Sequence, residues 1–600
     1  MSVTTEEIIE EFETFGIDVQ SDSILSRCLD LCSRYDLAAD QLAASWLGFA
    51  ATKSLDDMSL ELLSDFEREQ LSKKKTSTNP FASTKGPCYP ASFIDELMAH
   101  EDIIVSYGAS PIASKVANSR QASCSPATPV SKFNEKNGRP PSTPPSRRLT
   151  ASHHLYLSPS VAVPSERYST RNNSGAVVST YISQGTAAPD FTTKDWTANM
   201  ELPIEVQVTS MQNCRGRLMF EKLRESAAIA DDVIMHMAEQ LEPAFGGAGC
   251  WGPMDTPSNE AINCVGRVCC DSVGKLNAAS VLLEGSRELS GAVMLPLDLS
   301  KLDSYALFPG QVIGVSGVNS TGNLLVVEKL IAGRVPELPE HPISLKGTLE
   351  IVIASGPFTT SDNLLYEPLQ DLLDTIAKSP PHVLVLLGPV LDASHPLLSE
   401  GSVNETFQAV VNRAISSVTN ALSKCNTKIF IVSSSRDVTA SCVYPTPPLS
   451  APVSPRLTLV SDPSLLVIDG VVIAVTAQDV IMDIGKEELA YPSQQGDRIH
   501  RLVHHVLAQQ SLYPVYPSPD HVAVSPSLLQ AHASLNFKPH ILVVPSDLRN
   551  FVKNVFDCVV VNPERLCKGK SGGCYARLEI IPPSENNASV PEVEAAVYRV

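Results

Sequence analysis

Apolar positions recur at helical spacing near the start of the chain. Thr4-x-x-Glu7 has the form of a capping box, Ile8, Ile9, Phe12 and Phe15 share one face, and Gly16 closes the element. The spacing returns at Ile24, Leu25, Cys28, Leu31, Cys32 and Tyr35, at Leu42, Trp46, Leu47 and Ala50, and at Leu62, Leu63, Phe66 and Leu71. It predicts a small four-helix bundle over 1–75. Periodicity is lost from 76 to 190 and resumes near Trp196. A helical stretch from Leu218 to Glu242, bounded by Pro243 and the Gly246-Gly247-Ala248-Gly249 run, leads into short strand-like runs. These are Ala261–Cys269, Ala279–Glu284, Gly291–Asp298, Gln311–Val315 and Leu324–Ile331. Strands of this length and spacing predict a small barrel or sandwich over 191–342.

From Ile343 the rhythm becomes strand, helix, strand. Leu349–Ala354, Val383–Leu387, Lys428–Val432, Leu465–Ile468, Val471–Val475, Ile541–Val544, Cys558–Val561 and Arg577–Ile581 are apolar on both faces. Helical patterns at Tyr366–Ala377, Val403–Leu422 and Asp497–Gln509 separate several of them. Buried strands joined by helices predict an α/β layered domain over 343–600. Ligands in such domains sit beyond the carboxyl ends of the strands, so the residues after each run are the ones to read for chemistry.

Composition changes this picture in two places. The chain has 600 residues and 45 prolines against 31 glycines, and thirteen of the prolines fall in 76–190. That segment is rich in Ser and Thr, and between Ser110 and Ser165 it holds seven Lys/Arg and one acid, Glu135. It buries too little apolar surface to offset chain entropy and reads as a disordered linker. Ser125, Thr128, Thr143 and Ser158 each precede a proline and are candidate phosphorylation sites, where added phosphate would reverse the local basic charge. The formal net charge is −20, which disfavours a protein whose main task is gripping nucleic acid. The 1–75 unit carries sixteen acids and seven bases and reads as a docking module. The N-terminus lacks a basic region followed by an apolar one, and no run of about eighteen apolar residues exists, so neither a signal peptide nor a membrane span is expected. Fourteen cysteines without a C-x-x-C pair read as reduced, mostly buried thiols of an intracellular protein.

The strand ends carry Ser355-Gly356-Pro357-Phe358, Gly388-Pro389-Val390-Leu391-Asp392, Ser433-Ser434-Ser435-Arg436-Asp437 and Asn562-Pro563-Glu564-Arg565. This order resembles the calcineurin-like metallophosphoesterases, which place Asp-x-His, Gly-Asp-x-x-Asp, Gly-Asn-His-Asp/Glu and Gly-His-x-His at successive strand ends to hold two metal ions. By that resemblance Ser355 and Pro357 stand in place of Asp and His. Pro389 replaces the bridging aspartate while Asp392 persists. Ser435 and Arg436 replace ligands of the third motif, and Asn562 and Glu564 supply no histidine pair. Hard cations need several anionic or imidazole ligands, so no metal or other cofactor is expected, and the domain reads as a phosphoesterase scaffold without its chemistry.

An acidic helical unit, a Ser/Thr-Pro linker, a small barrel and such a domain occur together in the B subunits of eukaryotic replicative DNA polymerases. The phrases Phe308-Pro309-Gly310-Gln311-Val312-Ile313-Gly314-Val315-Ser316-Gly317, Leu387-Gly388-Pro389-Val390-Leu391-Asp392-Ala393, Val543-Val544-Pro545-Ser546-Asp547-Leu548-Arg549 and Cys558-Val559-Val560-Val561-Asn562-Pro563-Glu564-Arg565-Leu566 resemble those of the DNA polymerase alpha B subunits. The resemblance implies an OB-fold barrel packed on an inactive phosphoesterase-like domain. It also implies a grip on the C-terminal region of the polymerase alpha catalytic subunit, primase in the same complex, replication factors at the N-terminal unit, and a nuclear location. Two readings from other classes stay open: an active metal-dependent phosphodiesterase with misaligned ligands, and an OB-fold binder of single-stranded DNA, for which few Lys, Arg or aromatic residues accompany the barrel strands. The B subunit of another replicative polymerase is a third possibility.

Other motifs read as structural. Gly317-Val318-Asn319-Ser320-Thr321-Gly322-Asn323 has P-loop glycine spacing, but Asn323 stands where Lys is required, so a turn between barrel strands is expected. His500, His504 and His505 include an i, i+4 pair without a metalloprotease glutamate, and an exposed or partner-contacting helix is expected, with Arg498 and Arg501 on a solvated basic face. Asp392 and His395 are expected to brace their loop by hydrogen bonds.

Overall fold

Strands apolar on both sides need cover on both sides, and the α/β part supplies it as helix, sheet, sheet, helix. The structure is a computed structural model that describes residues 163–600 apart from 184–189, 212–217, 493–495, 584–589 and single positions in 193–202, 273 and 453; nearer the start it describes Asp22–Tyr35, Thr5, Trp46, Leu63 and Phe66. The chain divides into Met1–His100 and Glu101–Val600. In the first unit, helix α1 (Asp22–Tyr35) forms where the spacing predicts it, with Leu25, Cys28, Leu31 and Cys32 buried. Trp46 and Phe66 are buried and meet edge to face at 5.4 Å. The expected helix around Ile8–Phe15 and most of the third and fourth lie outside the described residues, as do 76–162 and the four Ser/Thr-Pro sites.

In the second unit the strands are β1 (Val177–Ile182), β2 (Val206–Ser210), β3 (Ser258–Cys270), β4 (Val281–Gly285), β5 (Met294–Asp298), β6 (Tyr305–Leu307), β7 (Val312–Asn319), β8 (Leu325–Ile331), β9 (Leu349–Ser355), β10 (Val383–Leu387), β11 (Lys428–Val432) and β12 (Leu457–Val460). They continue with β13 (Ser464–Ile468), β14 (Val471–Val475), β15 (Leu489–Tyr491), β16 (Ile541–Val543), β17 (Phe551–Val555), β18 (Cys558–Asn562), β19 (Cys574–Ile581) and β20 (Glu592–Arg599). The longer helices are α2 (Leu223–Phe245), α3 (Glu367–Lys378), α4 (Phe407–Ala421), α5 (Val480–Glu487) and α6 (Arg498–Ala508).

One sheet runs β1-β20-β19-β9-β10-β11-β12, with β9 to β12 parallel. The other runs β17-β18-β16-β14-β13-β2, with β14, β16 and β18 parallel. Their inner faces meet in one core that includes Ile351, Ile353, Val385, Leu387, Phe430, Ile473, Val475, Val543, Val561 and Leu578. Helices α3 and α4 cover the first sheet through Leu369, Leu372, Ile376, Val411, Ile415 and Val418. Helices α5 and α6 cover the second through Val480, Ile484, Leu502, Val503 and Val506. Each fully buried aliphatic side chain contributes roughly 1.5–3 kcal/mol, so this double-faced burial is the main source of the sandwich's stability.

The barrel closes as β3-β4-β5-β8-β7 around Val268, Leu283, Leu295, Leu297, Ile313, Val315, Leu325 and Val327. Helix α2 lies across β3 and β7 through Ile234, Leu241 and Phe245. Gly314 is needed there, since a Cβ at that position would sit 2.6 Å from the Phe245 ring. The sequence pattern places the end of this helix at Pro243. It runs to Phe245 instead, where Leu241 and Phe245 pack on the barrel in spite of the N–H that Pro243 lacks, and Gly246 caps it in the left-handed region at φ 113°. The P-loop-like glycines form the β7–β8 hairpin, as expected.

Two boundaries need correction. Strand β1 lies inside the stretch read as linker and pairs antiparallel with β20, Thr180 opposite Ala596. The turn of helix at Glu166–Ser169 buries Tyr168, whose hydroxyl donates to Asp371 at 2.8 Å. The described fold therefore reaches back to 163. The described residues of 191–210 belong to the sandwich and not to the barrel: Trp196 Nε1 donates to Tyr598 at 2.7 Å, and β2 pairs with β13. Both errors share a cause. Edge strands are half-exposed, and these find partners hundreds of residues away, which local periodicity does not register.

Candidate functional site

The loops after β9, β10, β11 and β18 converge, as parallel strands joined by helices require. Gly356 and Gly388 let them touch: a Cβ at Gly356 would lie 2.0 Å from the Pro389 carbonyl oxygen, and one at Gly388 would lie 2.7 Å from Asp437 Oδ2. Pro357 and Pro389 are buried in these loops. Ser355 ends β9 and is fully buried. Its hydroxyl accepts from Arg565 Nη1 at 3.1 Å.

Arg565 is the centre of this floor. Buried itself, it donates from Nε to Asp547 Oδ1 at 2.7 Å and lies 3.7 Å from Asp479 Oδ2. The guanidinium holds the Asp547 carboxyl down to about 2. Burial pushes Asp479 up to about 6 in spite of the same cation. Arg436 forms an ion pair with the buried Asp392, whose Oδ1 also accepts from the Ser394 N–H at 2.9 Å and the Ser394 hydroxyl at 2.7 Å. Asp437 accepts from the N–H groups of Val390, Leu391 and Ser434, tying the β10 loop to the β11 loop, yet complete burial pushes its carboxyl up to about 7. Ser435 is half-buried on the same loop.

Asn562 and Glu564 brace the last loop. Asn562 Oδ1 accepts from the N–H groups of Ser546 and Glu564 at 2.9 Å each, and Nδ2 donates to the Leu548 and Arg549 carbonyls at 3.2 Å each. Glu564 accepts from Asn550 at 2.6 Å and pairs with Lys568. Each predicted position is therefore brought to the strand ends, and Ser355, Asp392, Arg436, Asn562 and Glu564 have polar atoms engaged by protein. Among the described residues, no group of three or more His, Cys, Asp or Glu is placed to hold a metal ion. The sequence pattern does not single out Arg565, Asp437, Asp479 and Asp547. All four follow strand ends, but an interior charge becomes recognisable only with its partners, which come from separate loops.

The secondary motifs divide. His395 braces its loop as expected, with Nε2 2.9 Å from the Thr360 carbonyl and Nδ1 accepting from the Leu397 N–H at 3.2 Å. The exposed histidine helix is a correction: α6 turns one face into the sandwich. His505 is buried, 3.2 Å from Glu488 and edge-on to Phe308, and burial with its histidine neighbours draws His504 down to about 4. Nor is the Arg498/Arg501 face simply solvated. Arg501 binds both Glu488 oxygens, at 2.6 and 2.9 Å, and Arg498 donates to the Gly485 carbonyl at 2.7 Å. Burial would raise Glu488, but the bonds from His505 and Arg501 outweigh it and hold that carboxyl at about 2.

Comparison with known proteins agrees with the architecture. The family model for the DNA polymerase alpha/epsilon B subunit matches residues 351–553. The model for the OB domain of the DNA polymerase alpha B subunit matches 228–333, and the model for its N-terminal region matches 6–73. The DNA polymerase alpha B subunit of Rattus norvegicus is 32% identical over 593 residues, and that of Mus musculus 33% over 596, each alignment covering 96% of both chains. That of Schizosaccharomyces pombe is 32% identical over 395 residues, covering 61% of this chain and 68% of its own. With both the domain models and full-length relatives in agreement, the chain belongs to the family of DNA polymerase alpha B subunits.

Proposed function

We propose that this chain is a non-catalytic scaffold of the DNA polymerase alpha–primase complex, whose sandwich descends from a calcineurin-like phosphoesterase and has lost its two-metal chemistry. The observation that carries this is Arg565. A buried guanidinium donating to Ser355 and Asp547 fills the floor where a metal pair would need anionic ligands. Arg436 takes up Asp392 in the same way, and Asp437, Asn562 and Glu564 have their side-chain atoms engaged by backbone and side-chain groups. These residues do not fit a two-metal centre.

The barrel and sandwich grip the C-terminal region of the polymerase alpha catalytic subunit and hold primase in the same assembly. The N-terminal unit docks replication factors on a tether in which Ser125, Thr128, Thr143 and Ser158 are phosphorylated. The location this reading requires is the nucleus. Co-expression of the full chain with the catalytic subunit and both primase subunits tests it. A stoichiometric complex that survives moderate salt is the expected result. A chain that purifies alone and hydrolyses a generic phosphodiester with added manganese would overturn it.

A further inference from the structure

A buried imidazole sits between the barrel and the sandwich. His505 lies on α6 and is 1% exposed. Its Nδ1 is 3.4 Å from Nε2 of Gln311, just before β7, and its Nε2 is 3.2 Å from Oε1 of Glu488, just before β15. Phe308 meets the ring edge-on, with centroids 5.0 Å apart.

Gln311 decides where the imidazole proton is. It is fully buried, its Oε1 accepts the Phe308 N–H at 3.2 Å, and its Nε2 donates to the Ala332 carbonyl at 3.3 Å. Turning the amide over would set its NH2 against the Phe308 N–H and its oxygen against the Ala332 carbonyl, and leave both backbone groups unpaired. The amide therefore keeps its NH2 towards His505, Nδ1 accepts, and the ring proton sits on Nε2, where Glu488 accepts it. His505 is neutral in this arrangement. A second proton, on Nδ1, would face a donor and find no acceptor.

The other charges around the ring leave that conflict in place. Glu488 attracts a cation, but Arg501 already donates to both its oxygens, at 2.6 and 2.9 Å, and Arg498 lies 3.9 Å away. The His504 ring is 6.4 Å from that of His505 and adds no acceptor for Nδ1. On α5, Lys486 is exposed and Asp483 is turned to Tyr513 and His521. His236 of α2 donates to Gln510 Oε1 at 3.3 Å and keeps that bond when charged. Of these groups, His505 is the one whose second proton breaks a contact across the seam.

We propose that His505 is a proton-operated latch between barrel and sandwich. Neutral, it accepts from Gln311 and holds the start of β7 against α6; charged, it forces Gln311 away and releases that strand. The latch goes beyond the scaffold reading and does not depend on it. The open form takes up a proton that the closed form excludes, so the closure is complete at high pH and is lost as pH falls. A solvated imidazole is protonated at about pH 6.5, so the open form gains about tenfold between pH 7.5 and 5.5.

Hydrogen exchange of the full chain, read by mass spectrometry at both pH values and divided by the intrinsic rate at each, tests this. The Phe308 and Val312 amides, bonded to Gln311 and Gln509, exchange when the seam opens. Protection of the 305–315 segment should fall about tenfold from pH 7.5 to 5.5, while that of the core strand Val471–Val475 should not fall. Asp437 and Asp479, raised by burial, strengthen the sandwich over the same range, so they do not produce the fall. His505→Gln, which keeps a donor for Glu488 and has no second proton to take up, should abolish it. Wild-type protection at 305–315 that does not change with pH would overturn the latch, as would an equal fall in Val471–Val475 or in His505→Gln. The comparison of the two segments in the wild type decides the question even where the variant does not fold.

Discussion

Gln509 holds both backbone polar groups of Val312. Its Oε1 accepts the Val312 N–H at 2.7 Å, and its Nε2 donates to the Val312 carbonyl at 2.9 Å and to that of Ala332 at 2.8 Å. A side-chain amide at the end of α6 thus stands in for a neighbouring strand along β7, where the barrel meets the sandwich. Gln510 continues the seam to the Arg334 carbonyl at 3.0 Å, and β15 pairs with β6 beyond it. Gln509→Ala strands buried backbone groups, each costing about 1–3 kcal/mol. Gln509→Glu keeps the acceptor but sets an anion against two carbonyls, so it should be the worse of the two. The measurement is the rate of protease cleavage in 332–348, between barrel and sandwich. Cleavage of Gln509→Glu at the wild-type rate would refute this account of the seam.

Arg565 makes a second prediction. Removing one member of a buried ion pair costs about 3–5 kcal/mol, because the stranded charge stays buried. Asp547 is half-exposed and can turn to water, whereas the Asp479 side chain is only 14% exposed. Arg565→Ala should therefore destabilise by about 3 kcal/mol. Arg565→Ala/Asp479→Asn should recover part of that loss by neutralising the stranded carboxylate. Urea unfolding of the three proteins decides it. A single variant within about 0.5 kcal/mol of wild type would show that the guanidinium does not hold the floor together.

Three interior strands were legible to the residue, and others to within one. Val383–Leu387, Lys428–Val432 and Val471–Val475 have the same limits in the sequence pattern and in the fold. A parallel strand buried on both faces is written as an uninterrupted apolar run. Strand β2, Val-Gln-Val-Thr-Ser, is mostly exposed and carries no such run; its partner β13 lies some 250 residues away. The candidate site was legible in place but not in content. Its four loops follow from the strand ends, yet nothing local marks Arg565 as buried, because that depends on carboxylates brought by two other loops. His505 was misplaced for the same reason, its partner Glu488 lying on another element.

Asp462 makes stability depend on pH. It is fully buried where β12 passes to β13. Its Oδ1 accepts from Thr476 at 2.8 Å and the Ala477 N–H at 2.9 Å, Oδ2 has no hydrogen-bond partner, and burial pushes the carboxyl from 3.8 up to about 7. The folded state thus keeps a proton that the unfolded chain releases. The resulting stability is complete below the unfolded value near pH 4 and is lost as pH rises through about 7. Asp437, near 7, and Asp479, near 6, act in the same direction, and His504, lowered to about 4, opposes them. The unfolding midpoint should be higher at pH 5.5 than at pH 7.5. Asp462→Asn, which resembles the protonated acid, should shrink that difference and cost little at pH 7.5. An unchanged difference would mean that Asp462 is ionised throughout.

The segment before β2 predicts what a stable fragment of the sandwich must include. Tyr168 is 2% exposed, Arg171 lies over its ring at 3.7 Å and donates to the Val600 carbonyl at 3.0 Å, and the Ser165 N–H donates to Glu367 at 3.0 Å. Together with β1, these contacts fasten the C-terminal strand β20 to the sandwich. A fragment starting at 190 loses them and uncovers the edge of β20, whose Ala595, Ala596 and Val597 are fully buried in the whole chain. An uncovered apolar edge strand invites pairing between molecules. Fragment 190–600 should therefore melt lower than 163–600 and associate as concentration rises. Tyr168→Ala in the full chain, an aromatic deletion worth about 3–5 kcal/mol, should weaken the same region without cutting it. Light scattering and thermal unfolding of the two fragments give the answer. Equal melting and equal monodispersity would show that β1 rests on the sandwich without stabilising it.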